Sequence, residues 1–167
     1  RAAILSMRVV WRRVPDEAPR RDVAWGLLRE ALPHARLTNA CPVCGGPHGP
    51  VRVLGADAAV SVAYADGFAV VVIAPGAPAV GVDAEREARA IDLERVLGPT
   101  AAARDWVRVE AVLKADGRGL RAEPALVDIR SAPDGMTARV RDRDAEYEVR
   151  DVDGPPGLVV SVAVRIR

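Results

Sequence analysis

The chain lacks several features that mark whole classes of protein. No apolar run reaches the ~20 residues that a helix needs to span a bilayer, so we expect no membrane partner. The 24 basic and 23 acidic residues are dispersed, without the basic stripe that binds nucleic acid. The only two cysteines, Cys41 and Cys44, cannot form the disulfide framework of a small secreted domain. Residues 1–7 lack the pattern of a signal peptide, and we expect a cytoplasmic protein.

Lysine is the scarcest charged residue in the chain. Only one of the 24 cationic residues is a lysine, Lys114, and the others are arginines. A lysine that persists in an arginine-rich chain indicates a position that uses a compact, flexible point charge instead of a planar fork. Chance alone also leaves single lysines, so the surrounding residues must decide between the two interpretations.

The distribution of apolar runs and turn residues predicts one compact unit of mixed α and β structure. A chain of 167 residues that is 50% apolar can bury a good core. Helical spacing predicts one helix at residues 23–32 and another from about 99 to 116, where Gly117 stops it. Trp11 and Trp25 are expected in the core. Strands are predicted at 3–11, 51–54, 58–64, 68–74, 79–83, 125–130, 136–141, 146–151 and 158–166.

Two acids, Asp83 and Glu85, stand at the end of an apolar strand. Period-two alternation places both side chains on one face of that strand. Two like charges on one face cost energy unless a cation lies between them, and carboxylate oxygens suit Mg²⁺. A solvated surface is the alternative, because acids and arginines continue through residues 85–89 and can pair among themselves.

A second group of polar residues lies on the helix predicted before Gly117. Glu110 and Lys114 are an i, i+4 pair, and Trp106 lies one turn earlier on the same face. Such a pair is commonly a surface salt bridge, and the tryptophan is commonly a core residue. A carboxylate that completes a Mg²⁺ site, followed by an ammonium that neutralises phosphate oxygens, is also what phosphoryl transfer requires.

The strand and helix motifs together resemble the signatures of an enzyme family. Residues 81–85 resemble the G-V-D-[IV]-E signature of the Sfp-like 4′-phosphopantetheinyl transferases. Residues 106–120 resemble their W-x-x-K-E-A-x-x-K-A-x-G-x-G-L signature in order and spacing. Residues 41–49 resemble the C-x-x-C-G-x-x-H-G segment of actinobacterial members, and residues 156–164 resemble their closing strand. The likeness covers most of residues 37–166.

The resemblance implies an α/β (α+β) fold, built as a pseudo-twofold pair of α/β half-domains with the active site between the halves. The halves would comprise residues 1–85 and 86–167. A repeated tetrapeptide, Val-Ser-Val-Ala at 60–63 and 160–163, is compatible with two related halves. A monomer is implied, because two halves already build one cleft.

The implied reaction moves the phosphopantetheine arm of coenzyme A onto a serine of an acyl or peptidyl carrier protein and releases adenosine 3′,5′-bisphosphate. By this resemblance Asp83, Glu85 and Glu110 hold Mg²⁺, or Mn²⁺ in its place, on the diphosphate. Lys114 balances charge on the same phosphates. Glu110, directly or through water, is the expected base for the serine proton, and a metal-bound water near Glu85 is the alternative.

Further contacts to coenzyme A are expected from residues outside the two signatures. They are Ser61, Tyr64, His48 and Arg52. The family has [NS]-x-S-H-S where this chain has S-V-A-Y-A, so Tyr64 offers a hydrogen bond but no positive charge. Val109 replaces the first lysine of the helix signature, which leaves Lys114 as the principal cation of the motif.

Two other functions stay open at the level of sequence. The two missing cations, and a short link at 86–105 with room for little more than a helical turn or two at 91–97, are compatible with a catalytically degenerate relative that binds coenzyme A or a protein. Cys41, Cys44 and His48 supply three ligand types of a zinc site, for which His34 is a poorly spaced fourth, so a zinc-binding interaction domain is the other alternative. We favour a glycine-rich active-site rim for residues 41–50.

Overall fold

The computed structural model describes residues 6–87, 102–133 and 135–166, and these contain two α-helices and ten β-strands. Two short 3₁₀ helices, Gly119–Arg121 and Pro124–Leu126, follow the second α-helix. The predicted mixed α and β class is therefore confirmed. In chain order the elements are β1 (Arg8–Arg13), α1 (Arg20–Ala31), β2 (Arg36–Thr38), β3 (Arg52–Leu54), β4 (Ala58–Ala65), β5 (Phe68–Pro75), β6 (Val80–Arg86), α2 (Ala103–Asp116), β7 (Val127–Ala132), β8 (Gly135–Val140), β9 (Glu146–Val152) and β10 (Leu158–Arg165).

The first sheet is antiparallel and has the strand order β1-β5-β4. Its central strand is buried on both faces, because β5 is apolar along nearly its whole length. A turn joins β4 to β5, with positive φ angles at Asp66 and Gly67. Helix α1 covers one face of the sheet and packs Ala24, Leu27 and Leu28 against it. The two-stranded sheet β2-β3 adds Leu37 and Val53 to the same core.

The second sheet is also antiparallel and has the order β6-β10-β9-β8-β7. Helix α2 covers one of its faces and buries Ala111, Val112 and Ala115 against β8, β9 and β10. Strand β6 is the edge strand of this sheet, with Asp83 opposite Ser161 of β10. The functional motifs of the strand and of the helix therefore belong to one packing unit.

An apolar core joins the two sheets on the side away from α1 and α2. Val70 and Val72 of β5 pack there with Val82 of β6 and Val162 of β10. A polar tie adds to this contact, because the backbone N–H of Val82 donates a hydrogen bond to the Ser61 hydroxyl at 3.2 Å. Strand β6 is thus held by β10 on one side and by β4 of the other sheet.

Close approach of α2 to β6 depends on the missing side chain of Gly81. A Cβ at this position would overlap the carbonyl oxygen of Ala111 and would lie 2.6 Å from the backbone nitrogen of Ala115. Only glycine allows this approach. The odd-numbered residues of β6 consequently face α2, while Val80, Val82 and Ala84 face the core between the sheets.

Most element boundaries predicted from the sequence agree with the structure to within a few residues. Helix α2 ends at Gly117 as predicted, with a left-handed φ of 86°, and it begins at Ala103. The earlier part of that predicted helix, residues 99–101, and the predicted turns at 91–97 lie outside the described residues. The core assignment of Trp11 is wrong: its side chain is 42% exposed on the edge strand β1, against Phe68. Neither described helix has the length and apolar character to cross a bilayer.

Candidate functional site

A cluster of three acids and a lysine forms where β6 faces α2. We call Asp83, Glu85, Glu110 and Lys114 the acid–lysine cluster. Asp83 and Glu85 share the face of β6 that continues from Gly81, and Glu110 and Lys114 share one stripe of α2. The close packing at Gly81 brings these two faces together.

Lys114 makes direct contacts with the strand. Its Nζ donates hydrogen bonds to Asp83 Oδ1 at 2.7 Å and to the carbonyl oxygen of Val82 at 3.0 Å. The Asp83 side chain is only 7% exposed, whereas that of Lys114 is 29% exposed. The half-buried ammonium is therefore anchored to a buried carboxylate of β6, a contact between elements that the i, i+4 spacing of Glu110 and Lys114 does not itself indicate.

The surroundings of Asp83 disfavour the ionised form of its carboxylate. Burial raises its pKa, and the charge and hydrogen bond of Lys114 offset part of that rise. Its Oδ2 is buried and accepts no hydrogen bond from any described residue. A buried lone pair without a donor is costly, which leaves this oxygen suited to a cation or a proton.

Glu110 supplies the most perturbed acid of the cluster. Burial, followed by the negative charge of Asp83, raises the pKa of Glu110 to about 7, with Lys114 opposing and Glu85 adding to the rise. Once protonated, Glu110 can donate a hydrogen bond to Asp83, a contact that two ionised carboxylates cannot make. The cluster thus changes its proton content near neutral pH, as acid–base catalysis requires.

The three acids do not form a tight ligand set on their own. In the part of the chain that the structure describes, the only His, Cys, Asp or Glu group with at least three ligand atoms within 4.8 Å of one another is Cys41, Cys44 and His48. The oxygens of Asp83, Glu85 and Glu110 are therefore brought into one electrostatic group without converging to metal-ligand spacing.

A cleft of about 420 Å³ opens beside Lys114. Residues of α1, the loop before β3, β4 and the segment after α2 line it. Of the acid–lysine cluster, Lys114 alone belongs to this lining, and Asp83, Glu85 and Glu110 do not. The described lining residues are Arg21, Trp25, Asn39, residues 48–51, residues 60–62, Tyr64, Val80, Lys114, residues 117–119 and Arg121.

Three residues predicted to contact coenzyme A line this cleft: Ser61, Tyr64 and His48. Ser61 is buried and already accepts the hydrogen bond from the Val82 N–H. The ring of Tyr64 lies under the guanidinium of Arg20, with 4.7 Å between the guanidinium carbon and the ring centroid. Burial raises the pKa of Tyr64, so its hydroxyl is a neutral hydrogen-bonding group at physiological pH.

The fourth of these residues, Arg52, does not line the cleft. It lies on β3 and borders an adjoining recess of about 400 Å³ that also contains Pro50 and Lys114. Period-two alternation explains this placement, because Val51 and Val53 face the core under α1 and Arg52 faces outward. Lys114 therefore borders both the cleft and this recess, whereas Arg52 borders only the recess.

The cleft also has cations that the sequence motifs did not identify. Arg21 of α1 and Arg118 and Arg121, which follow α2, all line it. Arg118 is bidentate to Asp142, and Arg121 donates to the carbonyl oxygens of Gly117 and Arg118. Only the i, i+4 spacing of Arg21 and Trp25, beside the apolar stripe of α1, gave a sequence signal for this wall.

Val109, which stands in place of a family lysine, faces the protein interior. It is 5% exposed and packs with Leu113 and Ala122. Its neighbour Arg108 is bound to Asp151 at 3.0 Å and to Asp105 at 3.2 Å. Neither residue is directed to the acid–lysine cluster, so Lys114 is its cation.

A second cluster lies in the loop between β2 and β3. We call Cys41, Cys44 and His48 the thiol cluster. The Cys44 Sγ and His48 Nε2 atoms are 3.0 Å apart, and all three ligand atoms lie within 4.8 Å of one another. Hydrogen bonds from the backbone N–H groups of Cys44 and Val43 lower the pKa of the Cys41 thiol. His34 is not part of this group.

Comparison with known proteins finds no family model that matches the chain and no match among curated proteins.

Proposed function

We propose that the protein is a Mg²⁺-dependent 4′-phosphopantetheinyl transferase. It would transfer the phosphopantetheine arm of coenzyme A to a serine of an acyl or peptidyl carrier protein. The observation that carries this proposal is the packing of the strand motif on the helix motif, with Lys114 bound to Asp83 at 2.7 Å and Glu110 beside both. Two segments that resemble separate signatures of one family thus meet at one cluster.

The donor set of the cluster fits a small, hard cation. Asp83, Glu85 and Glu110 offer only oxygen ligands, and the buried Asp83 Oδ2 lacks a hydrogen-bond donor among the described residues. These three residues would hold Mg²⁺ or Mn²⁺. The bound ion would neutralise charge on the diphosphate of coenzyme A. Because the three acids do not all lie within ligand spacing of one another, water and phosphate oxygens would complete the shell.

Lys114 links the acids to the cleft. Its ammonium is bound to Asp83 and to the carbonyl oxygen of Val82, and the residue also lines the cleft. A compact ammonium in this position can contact a phosphate oxygen while it stays bound to Asp83. Arg21 and Arg121 extend the positive lining and would face the other phosphate groups of coenzyme A.

Glu110 is the residue suited to accept the serine proton. The serine oxygen would form a bond to the phosphorus that carries the pantetheine arm, and the bond from that phosphorus to the oxygen bridging the diphosphate would break. Adenosine 3′,5′-bisphosphate would leave with the bridging oxygen and the electron pair of that bond. A carboxylate with a pKa of about 7 is well matched to take the serine proton at neutral pH.

We also propose the pseudo-twofold arrangement, with halves at residues 1–85 and 86–167. The repeated Val-Ser-Val-Ala segments lie within β4 and β10, and each places a buried serine in a structural hydrogen bond. Ser61 accepts from the N–H of Val82, and Ser161 donates to Asp151. The two serines share burial and a structural hydrogen bond, although one accepts and the other donates. This likeness and the repeated tetrapeptide support related halves, and a cleft between them would serve a monomer.

A mass measurement on carrier proteins tests the proposed activity. The full chain is incubated with coenzyme A, Mg²⁺ and a panel of apo acyl and peptidyl carrier proteins, and each carrier is then weighed. We expect at least one carrier to gain the mass of one phosphopantetheine arm. If no carrier gains mass while coenzyme A still binds to the protein, the protein is a catalytically degenerate relative and not a transferase.

A further inference from the structure

We propose that the thiol cluster is a binding site for Zn²⁺, separate from the acid–lysine cluster. Cys41, Cys44 and His48 place two sulfurs and one imidazole nitrogen within 4.8 Å of one another. This group is selected by geometry from all His, Cys, Asp and Glu residues that the structure describes. The inference does not depend on the proposed transferase activity.

The backbone of the loop is shaped to bring the two thiols to one side. The N–H of Gly45 donates to the carbonyl oxygen of Cys41 at 2.8 Å, and the N–H of Cys41 donates to the carbonyl oxygen of Gly46 at 2.8 Å. Gly45 has a φ of 72°, which a residue with a side chain rarely adopts. This tight turn points Cys41 and Cys44 towards His48.

The ends of the loop are closed by contacts outside the three ligands. Asn39 donates through its side chain to the carbonyl oxygen of Pro47 at 2.8 Å, and its own carbonyl oxygen accepts from the N–H of Gly49 at 2.7 Å. A Cβ on Gly49 would lie 2.6 Å from the carbonyl oxygen of Ala40. The ligands thus lie on a closed loop that requires little rearrangement to bind an ion.

The chemistry of the ligands selects the ion. Two cysteine sulfurs and a neutral imidazole are the donors that Zn²⁺ prefers, in a tetrahedral shell with Zn–S near ~2.3 Å and Zn–N near ~2.0 Å. Mg²⁺ prefers oxygen donors and would stay with the acids. Cys44 and His48 are exposed, so an ion can reach the site and a water molecule can take the fourth position.

Bound zinc would fix one wall of the cleft. His48 and the residues that follow it, Gly49, Pro50 and Val51, all line that cleft. An ion on the His48 Nε2 would hold this wall to the turn at Cys41 and Cys44. We therefore expect Zn²⁺ to slow amide hydrogen exchange in residues 40–50, with no corresponding change in α2.

Metal titration of the reduced, chelator-treated full chain tests the site. Co²⁺ should bind with one equivalent and give the thiolate-to-cobalt charge-transfer absorption of a sulfur-containing shell, and Zn²⁺ should displace it. Cys44→Ser and His48→Asn should each weaken Co²⁺ binding by more than about tenfold. His34→Asn is the matched control, because it changes the other histidine of the chain and should leave the affinity unaltered.

Several results would overturn the proposal. One is the absence of stoichiometric Co²⁺ binding by the reduced wild-type chain, which needs no variant and so cannot be blamed on misfolding. Another is an affinity that survives both Cys44→Ser and His48→Asn, because the ion would then bind elsewhere. If the protein binds zinc but fails the transferase assay, the zinc site is supported and only the proposed transferase activity is contradicted.

Discussion

The acid–lysine cluster and the thiol cluster are built by opposite means. The acids and the lysine project from a strand and a helix, and Asp83 is almost fully buried. The cysteines and the histidine lie within one exposed loop, at residues 41–48. Yet the loop ligands have metal-ligand spacing, and the acids of the regular elements do not.

This difference reflects what each cluster must do with charge. Burial disfavours a charged carboxylate, and neighbouring acids also repel one another. Both effects raise the pKa of Glu110, so convergence of the acids has to wait for a cation or a proton. Thiols and a neutral imidazole carry no such repulsion until they ionise, and a short loop can hold them together in advance. We expect the first cluster to be sensitive to charge and packing and the second to soft metals.

Loss of the Glu110 carboxylate should give the largest effect in the molecule. Glu110→Ala removes both a proposed ion ligand and the proposed proton acceptor, so transfer to a carrier protein should fall by about 10²–10⁴-fold or more. The rate of mass gain of the carrier measures this loss.

Glu87→Ala is the control for that experiment, because Glu87 is an exposed acid that directly follows β6, the strand that carries Asp83 and Glu85. Its side chain is 76% exposed and lies 3.9 Å from Arg104. We expect an unchanged transfer rate. Equal transfer rates for Glu110→Ala and the wild type would show that the acid–lysine cluster does not take part in the reaction.

Removal of the Lys114 ammonium should reduce the free energy of unfolding by about 3 kcal/mol, because Lys114→Met leaves the buried Asp83 without its counter-ion. Urea unfolding at pH 7.5 measures the loss, and adding Asp83→Asn should recover part of it. A loss below ~1 kcal/mol would mean that the pair behaves as a surface ion pair.

Lys114→Arg separates stability from recognition. The guanidinium keeps a positive charge and a hydrogen-bond donor beside Asp83, but its planar fork cannot present the compact point charge that would contact a phosphate oxygen. We expect Lys114→Arg to unfold at nearly the wild-type urea concentration while its transfer rate falls. A normal rate would show that any cation suffices at this position.

The faces of the two motif elements could be predicted from the sequence because they follow from local periods. Period two placed Asp83 and Glu85 together, and the i, i+4 rule placed Glu110 on the stripe of Lys114. These local periods give no information on distances between separate elements. The sequence therefore did not predict that the three acids would stay too far apart to form one metal-ligand set.

The walls of the cleft could not be predicted because they depend on how distant elements pack. Arg21 and Trp25 reach it only because α1 lies across the first sheet, facing the segment that follows α2. Trp11 shows the same limit, since an apolar residue on a strand becomes exposed when the strand lies at an edge. A sequence pattern indicates that an apolar residue tends to be buried, and the position of its strand in the sheet determines whether it is.

A methyl group added at Gly81 should destabilise the fold more than one added in the thiol loop. Gly81→Ala inserts a Cβ into the backbone of α2 and should cost about 3 kcal/mol, near the upper end of the usual cost of overpacking. Gly45→Ala in the thiol loop is the matched change: its φ of 72° is strained, but nothing lies within 4 Å of the new Cβ. We expect a cost there of only ~1–2 kcal/mol. Equal Tm losses would contradict the close approach of β6 and α2.

The smallest predicted effect comes from the charge of Glu110 in the absence of divalent ions. Because its folded-state pKa of about 7 lies above the ordinary value of 4.5, the protonated carboxyl favours the folded state. That contribution is complete below pH 4.5 and is lost as the pH rises through 7. Glu110→Gln stays neutral throughout, so it should raise the Tm at pH 8.

We expect this rise to be about 2–4 °C, which corresponds to ~1 kcal/mol after allowance for the partial exposure of Glu110. The difference should shrink towards pH 5, where the wild-type carboxyl is protonated in the folded protein. Added Mg²⁺ should make the wild type the more stable of the two proteins at pH 8, because the ion stabilises only the protein that can bind it and Glu110→Gln lacks one ligand. If Glu110→Gln is no more stable than the wild type at pH 8 with ions chelated, then burial and the neighbouring acids do not disfavour the charged Glu110 carboxylate.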